Sequence, residues 1–311
     1  MTKELLILSD CGRRIPSFDE RFHVTALSVD ASKEARLAAI SRAEIIIGEP
    51  SIEELQAAHK LRWLQMTWAG ADRYLKGGFP KHVTLTNASG AFGQTIAEHA
   101  LAMLFSLCRR IPAYCRQNKW KDLGSEKKIR GSSALIFGCG DIGTHIAESL
   151  KGFGVRTIGV CRNPKKPRKH FDILTVLSCA EAFFEQADFI LCALPQTPET
   201  VGYFNMDRLS ALKQDAVLIN VGRGSFICTK ALKALLSQGR FFGVGLDVME
   251  EEPLEAEHPL WQMPNVIVTP HVAGVGFGHL PDTEEKIWSI CKENLRRYLK
   301  GEQLMNQVDV P

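Results

Sequence analysis

Gly138-Cys-Gly-Asp-Ile-Gly143 follows the apolar run Ala134-Leu-Ile-Phe137 and opens an amphipathic stretch. In that setting Gly138 permits a tight turn, Gly140 lets backbone approach a pyrophosphate, and Gly143 allows close packing of helix on strand. The free N–H groups and positive dipole at the start of the helix complete a dinucleotide site. Three polar residues then follow later apolar runs: Arg223 after Ile219-Asn-Val-Gly222, Glu252 in Asp247-Val-Met-Glu-Glu-Glu-Pro253, and His271 after Val268-Thr-Pro270. Hydride transfer to a 2-oxo acid needs a cation for the carboxylate or polarised carbonyl, a proton donor for the developing alkoxide, and a group that fixes the donor's tautomer. The fork of Arg223 suits the first role, the imidazole of His271 the second, and Glu252 the third. Each residue alone has a bland reading, as a structural histidine, a capping arginine or a solvated glutamate. Three of them at strand ends beside a dinucleotide motif favour the catalytic reading.

The strand after the glycine motif ends at Cys161, where a carboxylate for the ribose hydroxyls would be expected. It is followed instead by Arg162-Asn-Pro-Lys-Lys-Pro-Arg-Lys169, with no acidic residue before Asp172. Arg162, with Asn163 beside it, therefore predicts a 2′-phosphate and NADP in preference to NAD. A solvated basic loop and a nucleic-acid patch are the alternatives, and the basic cluster lacks the interleaved aromatics of the second. His258, His271 and His279 have no tight ligand spacing, so no metal is expected.

These residues need strands and helices to carry them. Glu4–Leu8, Ile45–Ile47, Arg62–Met66 and Val83–Thr86 read as strands, with helices over Lys33–Arg42 and Ile52–His59, the second opened by the capping box Ser51-Ile-Glu-Glu54. A long helix is expected from Thr95 to Asn118, then a polar boundary over Lys119–Arg130. Beyond it Ser133–Phe137, Arg156–Cys161, Phe189–Leu194, Ala216–Val221, Phe242–Val248 and Val266–Thr269 read as strands. Helices near Ile142–Lys151, Ala180–Gln186, Met206–Leu212 and Lys230–Ser237 lie between them, with a second capping box at Ser178 and Glu181 and Gly239 as a C′ glycine. The tail Thr283–Lys300 is an amphipathic helix, with Asp282 as cap and Gly301 as stop. The expected fold class is α/β, with two doubly wound parallel-sheet domains. A Rossmann cofactor domain, residues 97–275, is inserted in a flavodoxin-like substrate domain made of residues 1–96 and 276–311.

Composition bounds the remaining classes. The 311 residues are 45% hydrophobic and 23% charged, with a formal charge of +3, which offers no large field to nucleic acid or an anionic membrane. No apolar run is long enough to span a bilayer and no leader is visible, so the reading is cytoplasmic with a small-molecule partner. Nine cysteines without a Cys-x-x-Cys pair suggest reduced thiols.

With these residues in view the chain resembles the D-isomer-specific 2-hydroxyacid dehydrogenase family over nearly its whole length. The matching stretches are Gly138–Gly143, Ala193-Leu-Pro-Gln-Thr-Pro-Glu-Thr200, Asn220-Val-Gly-Arg-Gly224, Leu246–Pro253, Thr269-Pro-His-Val-Ala-Gly274 and Glu293-Asn-Leu-Arg-Arg-Tyr298. The resemblance implies a triad of Arg223, Glu252 and His271, and Asp247 at the nicotinamide amide. It further implies cofactor contacts from Asp141, Ile142, Leu194, Val221 and Gly274; Pro195, Thr200 and Gly222 are taken with them, as are Arg223 and His271. Trp68-Ala69-Gly70-Ala71 becomes the loop whose N–H groups bind the substrate carboxylate together with Arg223. The resemblance also implies two domains closing over substrate, a homodimer built on the long helix after Ala97-Glu-His99, and a carboxy-terminal helix packed on the first domain. Departure from NAD-specific members falls at Cys161-Arg162. Side-chain specificity is assigned to the first domain, with Trp288 or His279 as further candidates. A nucleotide-sensing protein like the corepressors that resemble this family is the alternative of a different class, and a Rossmann methyltransferase the remote third.

Overall fold

The computed structural model describes residues 2–9 and 15–311, which form two compact units, the described residues up to 92 with 275–311 and residues 93–274. Cys11 lies outside the described residues.

The first unit is built on strands β1 (Lys3–Leu8), β2 (Phe22–Leu27), β3 (Ile45–Gly48), β4 (Trp63–Gln65) and β5 (Thr84–Thr86), all parallel in the order β2-β1-β3-β4-β5. The three isoleucines of β3 are fully buried, as a parallel strand covered on both faces requires. Each such side chain contributes roughly 1.5–3 kcal/mol of burial. Helices α1 (Lys33–Ile40), α2 (Ile52–Leu55) and α3 (Asp72–Leu75) fall between the strands. The capping box of α2 is present, with Ser51 N–H donating to Glu54 at 2.7 Å and Glu54 N–H to Ser51 Oγ at 3.1 Å. That helix stops at Leu55, four residues short of the expected His59.

In the second unit α4 (Gly93–Cys108) and α5 (Ile111–Arg116) precede a seven-stranded parallel sheet. Its strands are β6 (Ser133–Phe137), β7 (Arg156–Val160), β8 (Ile173–Thr175), β9 (Phe189–Cys192), β10 (Val217–Asn220), β11 (Gly243–Leu246) and β12 (Val266–Val268). They run β12-β11-β10-β9-β6-β7-β8, which is the doubly wound dinucleotide-binding order with one added strand. Helices α6 (Asp141–Gly152), α7 (Met206–Ala211) and α8 (Thr229–Ser237) connect them. In α6, Ile146, Ala147 and Leu150 face the core at helical spacing. The last helix, α9 (Pro281–Lys300), belongs to the first unit: Asn294 Nδ2 donates to Gln65 Oε1 at 2.8 Å and Tyr298 stacks on Trp63.

Two doubly wound α/β units agree with the expected fold class, and four local expectations are corrected. The helix expected over Thr95–Asn118 is two helices, because Pro112 has no N–H and its ring excludes the carbonyl of Cys108; the break falls at Arg110, which sits at φ 54°. Ser178 and Glu181 form no capping box. Leu177–Phe183 is a 3-10 turn capped at Val176, and Glu181 pairs with Arg208 at 2.7 Å. Asp282 is not the cap of α9; Leu280 is, with Pro281 pre-set at the first helical position. Strands β2 and β8 are not among the expected strands: β2 alternates over Phe22-His-Val-Thr-Ala26 but is short and largely exposes its side chains at the sheet edge, and β8 has only three residues.

Candidate active site

In the second unit the candidate residues follow the carboxyl ends of β6, β9, β10, β11 and β12, the side of an open α/β sheet where ligands bind. The glycine turn stands at the switch point, where β6 has β7 on one side and β9 on the other. Gly138 has φ 106°, and a Cβ there would lie 2.7 Å from the carbonyl oxygen of Ala193. At Gly143 a Cβ would come within 1.7 Å of the Gly138 oxygen, so only glycine lets α6 start this close to β6. Gly140 is different: a Cβ would meet nothing within 4 Å. Protein packing does not demand glycine at that position; it leaves an open face above the first N–H groups of α6, which have no partner within the helix. The turn thus fits a pyrophosphate. Asp141 and Ile142 are the first residues of α6; His145 Nδ1 lies 3.3 Å from the Asp141 carboxylate, which packs against Gly93.

Beyond β7 the chain enters the basic loop. Arg162 is exposed, and Asn163 accepts from the N–H of Lys165 at 3.2 Å, closing an Asx turn. Arg168, within the basic run, is set apart from the others. It is drawn back onto the glycine turn, donating from Nη1 to the Cys139 carbonyl at 2.7 Å, and its buried Nε has no partner among the described residues. A buried guanidinium nitrogen left unmatched beside this turn fits an anionic ligand.

The segment after β9 folds on itself. Leu194 is partly buried, and Thr200, 6% exposed, directs its hydroxyl to the Pro195 carbonyl at 2.9 Å while accepting from Thr197 N–H at 2.7 Å. The Thr200 hydroxyl is engaged by its own turn. Leu194 also meets Gly222, where a Cβ would lie 2.8 Å from the Leu194 oxygen.

Gly222 and buried Val221 lead to Arg223, which is half-buried and donates to the Gly222 carbonyl at 2.8 Å. Asn220 braces this turn, accepting from Gly222 N–H and donating to the Arg223 carbonyl. At Gly224 a Cβ would come within 1.8 Å of the Met249 oxygen, so glycine brings the Arg223 turn against the loop that carries Glu252. Glu252 accepts from Met249 N–H at 2.9 Å through one oxygen and lies 2.9 Å from His271 Nδ1 through the other. A carboxylate only accepts, so Nδ1 carries hydrogen and Nε2 is left to hold or release a proton. His271 sits at φ 56°, a conformation that a side chain adopts only where its surroundings impose it. Its N–H bonds to the Asp247 carbonyl at 2.8 Å and the Thr269 carbonyl at 3.0 Å. Asp247, 2% exposed, spends its carboxylate on Thr269 Oγ1 and the N–H groups of Val272 and Ala273. Gly274 ends the unit.

Trp68–Ala71 lies in the first unit, between β4 and α3. Trp68 is 59% exposed, and its carbonyl accepts from Ala88 N–H at 2.9 Å. Asn87 Nδ2 donates to the Ala69 carbonyl at 2.7 Å. With these carbonyls tied back, the N–H groups of Ala69, Gly70 and Ala71 enter no hydrogen bond among the described residues. Glu49, at the end of β3, supports the turn from below: Thr67 donates to it from its N–H at 2.7 Å and its hydroxyl at 3.0 Å, and burial nonetheless pushes its carboxyl above the usual carboxylate range. Glu49 and Asn87 carry no motif and escape a reading of spacing. Trp288 is a core residue, packed between Phe18 and Phe277, whereas His279 is exposed.

Comparison with known proteins identifies relatives of the chain. The model of the D-isomer specific 2-hydroxyacid dehydrogenase NAD-binding domain matches residues 101–273. A glyoxylate reductase of Korarchaeum cryptofilum is 30% identical over 82% of this chain and 79% of its own. The crystal structure of a D-isomer specific 2-hydroxyacid dehydrogenase family protein from Aeromonas salmonicida superimposes with TM-score 0.85 at 34% identity, covering 99% of both chains. That of a D-isomer specific 2-hydroxyacid dehydrogenase from Xanthobacter autotrophicus in complex with NADPH and MES gives TM-score 0.79 at 25% identity, covering 99% of this chain and 98% of the other.

Proposed function

The chain belongs to the D-isomer specific 2-hydroxyacid dehydrogenase family, NAD(P)-dependent oxidoreductases, and we propose that it reduces 2-oxo acids to D-2-hydroxy acids with NADPH as preferred partner. The observation that carries this reading is the 2.9 Å pair of His271 Nδ1 and Glu252, set beside Arg223 by the contact of Gly224 with Met249. NADPH, when bound, supplies the hydride.

The protein's own residues do the rest. Gly138, Gly140 and Gly143 with the start of α6 hold the pyrophosphate, flanked by Asp141, Ile142, Leu194, Pro195 and Thr200, while Val221, Gly222, Asp247 and Gly274 line the nicotinamide end. Arg162 and Asn163 meet the 2′-phosphate. No carboxylate stands at the end of β7 to repel it, and the similar Xanthobacter protein was solved in complex with NADPH. Arg223 binds the substrate carboxylate or carbonyl, and in the first unit the N–H groups of Ala69, Gly70 and Ala71 make a turn suited to a carboxylate. As negative charge develops on the carbonyl oxygen, His271 donates the proton held at Nε2, and Glu252 stabilises the ring that remains by keeping Nδ1–H in place. In the reverse direction Nε2 receives the proton of the D-2-hydroxy acid. We further assign the first unit to substrate and the second to cofactor, in a homodimer working in the cytoplasm.

His271→Ala tests the assignment. Turnover of the preferred 2-oxo acid should fall by about 10³-fold or more while NADPH binding, followed by fluorescence, stays within about twofold. Unchanged turnover would remove His271 as the acid.

A further inference from the structure

Behind the candidate acid lies a second histidine. His99 is on α4, which packs on β10, β11 and β12, the strands whose ends carry Arg223, Asp247 and His271. Its Nε2 is 3.0 Å from Thr269 Oγ1, and Thr269 Oγ1 is 2.6 Å from Asp247 Oδ1. The direction of this chain is determined. A hydroxyl has one hydrogen, and the Asp247 carboxylate, acceptor only, takes it; the short separation is that of a charge-assisted bond. Thr269 therefore accepts from His99, whose Nε2 must carry hydrogen.

What the chain ends on is the turn that aims His271. Asp247 Oδ1 also receives Val272 N–H and Oδ2 receives Ala273 N–H, each at 3.0 Å, while the Asp247 carbonyl receives the N–H of His271 itself. The residues immediately before and after Pro270 and His271 are thus tied to one buried carboxylate. His271 has φ 56°, so nothing local keeps it there, and the surrounding bonds must. Orientation of the Asp247 carboxylate decides whether both N–H groups are met together, and a donor from His99 on the acceptor side of the Thr269 hydroxyl holds that hydroxyl in the rotamer that points its hydrogen at Asp247 Oδ1.

Resting on the reading of His271 as acid, we propose that His99 is a positioning residue for the reaction: through Thr269 and Asp247 it holds the turn that presents His271 to Glu252 and to substrate. It touches neither substrate nor cofactor. Its effect falls on kcat, because a misdirected acid impairs proton transfer and leaves binding of the ground state intact.

The test compares His99→Leu, His99→Gln and Thr269→Val in the full-length protein. Gln places an amide nitrogen near the position of Nε2 and keeps the donor; Leu does not. His99→Leu is expected to lower kcat about tenfold with KM for the 2-oxo acid within about twofold, and His99→Gln to restore most of it. Combining His99→Leu with Thr269→Val should cost less than the two single effects added together, since both break the link through Thr269 and only His99→Leu also removes the 3.7 Å approach of His99 Nε2 to Asp247 Oδ1. Equal kcat in wild type and His99→Leu, or no difference between Leu and Gln, overturns the proposal while leaving 2-oxo acid reduction intact. A crystal structure of His99→Leu gives a readout independent of turnover. The His271–Glu252 pair should open beyond hydrogen-bond distance in His99→Leu and stay closed in His99→Gln, and a closed pair in both overturns the role of His99 even if no substrate is found.

Discussion

The turn at Gly138–Gly143 and the turn at Trp68–Ala71 both offer backbone N–H groups beyond a parallel strand, and they are held by opposite means. The first is held by what it lacks. Side chains are excluded at Gly138 and Gly143 by backbone atoms 2.7 and 1.7 Å from where a Cβ would stand, so residue type and structure are locked together. The second is held by what reaches it. Asn87 and Glu49, each 18 residues from the atoms they bind, fix the carbonyls and N–H groups of a turn whose own residues impose little. A rigid anion site made by sterics suits a constant ligand such as a pyrophosphate. One made by side chains from neighbouring strands can be retuned, as substrate recognition requires.

The comparison is broken most sharply at Gly143. Gly143→Ala drives a methyl into the Gly138 carbonyl and should destabilise the second unit by about 3 kcal/mol while abolishing NADPH binding; retention of both in a urea titration with nucleotide would show that the turn is not sterically locked. Asn87→Ala probes the other kind of turn. Releasing the Ala69 carbonyl should cost about 1 kcal/mol in stability and raise KM for the 2-oxo acid several-fold, with the NADPH KM unchanged.

The smallest effect is a pH dependence with opposite signs at neighbouring carboxyls. Burial raises the Glu49 carboxyl, so the folded state keeps a proton that the unfolded chain releases near pH 4.3. Its stability contribution is full below that pH and is lost as pH rises through the raised folded value. Glu54, held low chiefly by Arg36, contributes above its unfolded value and loses that contribution as pH falls through its lowered one. Glu49→Gln should therefore flatten the rising-pH side of a urea-midpoint profile and Glu54→Gln the acid side; a Glu49→Gln profile parallel to wild type would contradict the first.

The same contrast explains what could be read from the sequence. The glycine turn, the apolar strands β3, β6 and β10, and the α2 capping box follow from local rules, so their residues announce them. Arg223, Glu252 and His271 were recognisable as polar residues following three neighbouring strands. Pro112 was equally visible, and its effect on the long helix follows from its missing N–H, yet the apolar periodicity on either side obscures it. Glu49, Asn87, Arg168 and His99 were not legible, because their meaning lies in contacts: His99 meets Thr269 across 170 residues, and nothing in the sequence near either announces the other. β2 is a third case: Phe22-His-Val-Thr-Ala26 alternates, yet at the sheet edge it is short and buries only Phe22, so the run does not stand out from a loop.

The central claim is tested most directly by following loss of the reduced-nicotinamide absorbance with NADPH and, separately, NADH against 2-oxo acids from glyoxylate to phenylpyruvate. Turnover of at least one of them, with higher kcat/KM for NADPH than for NADH, is the result expected. Nucleotide binding without consumption of any 2-oxo acid would contradict it.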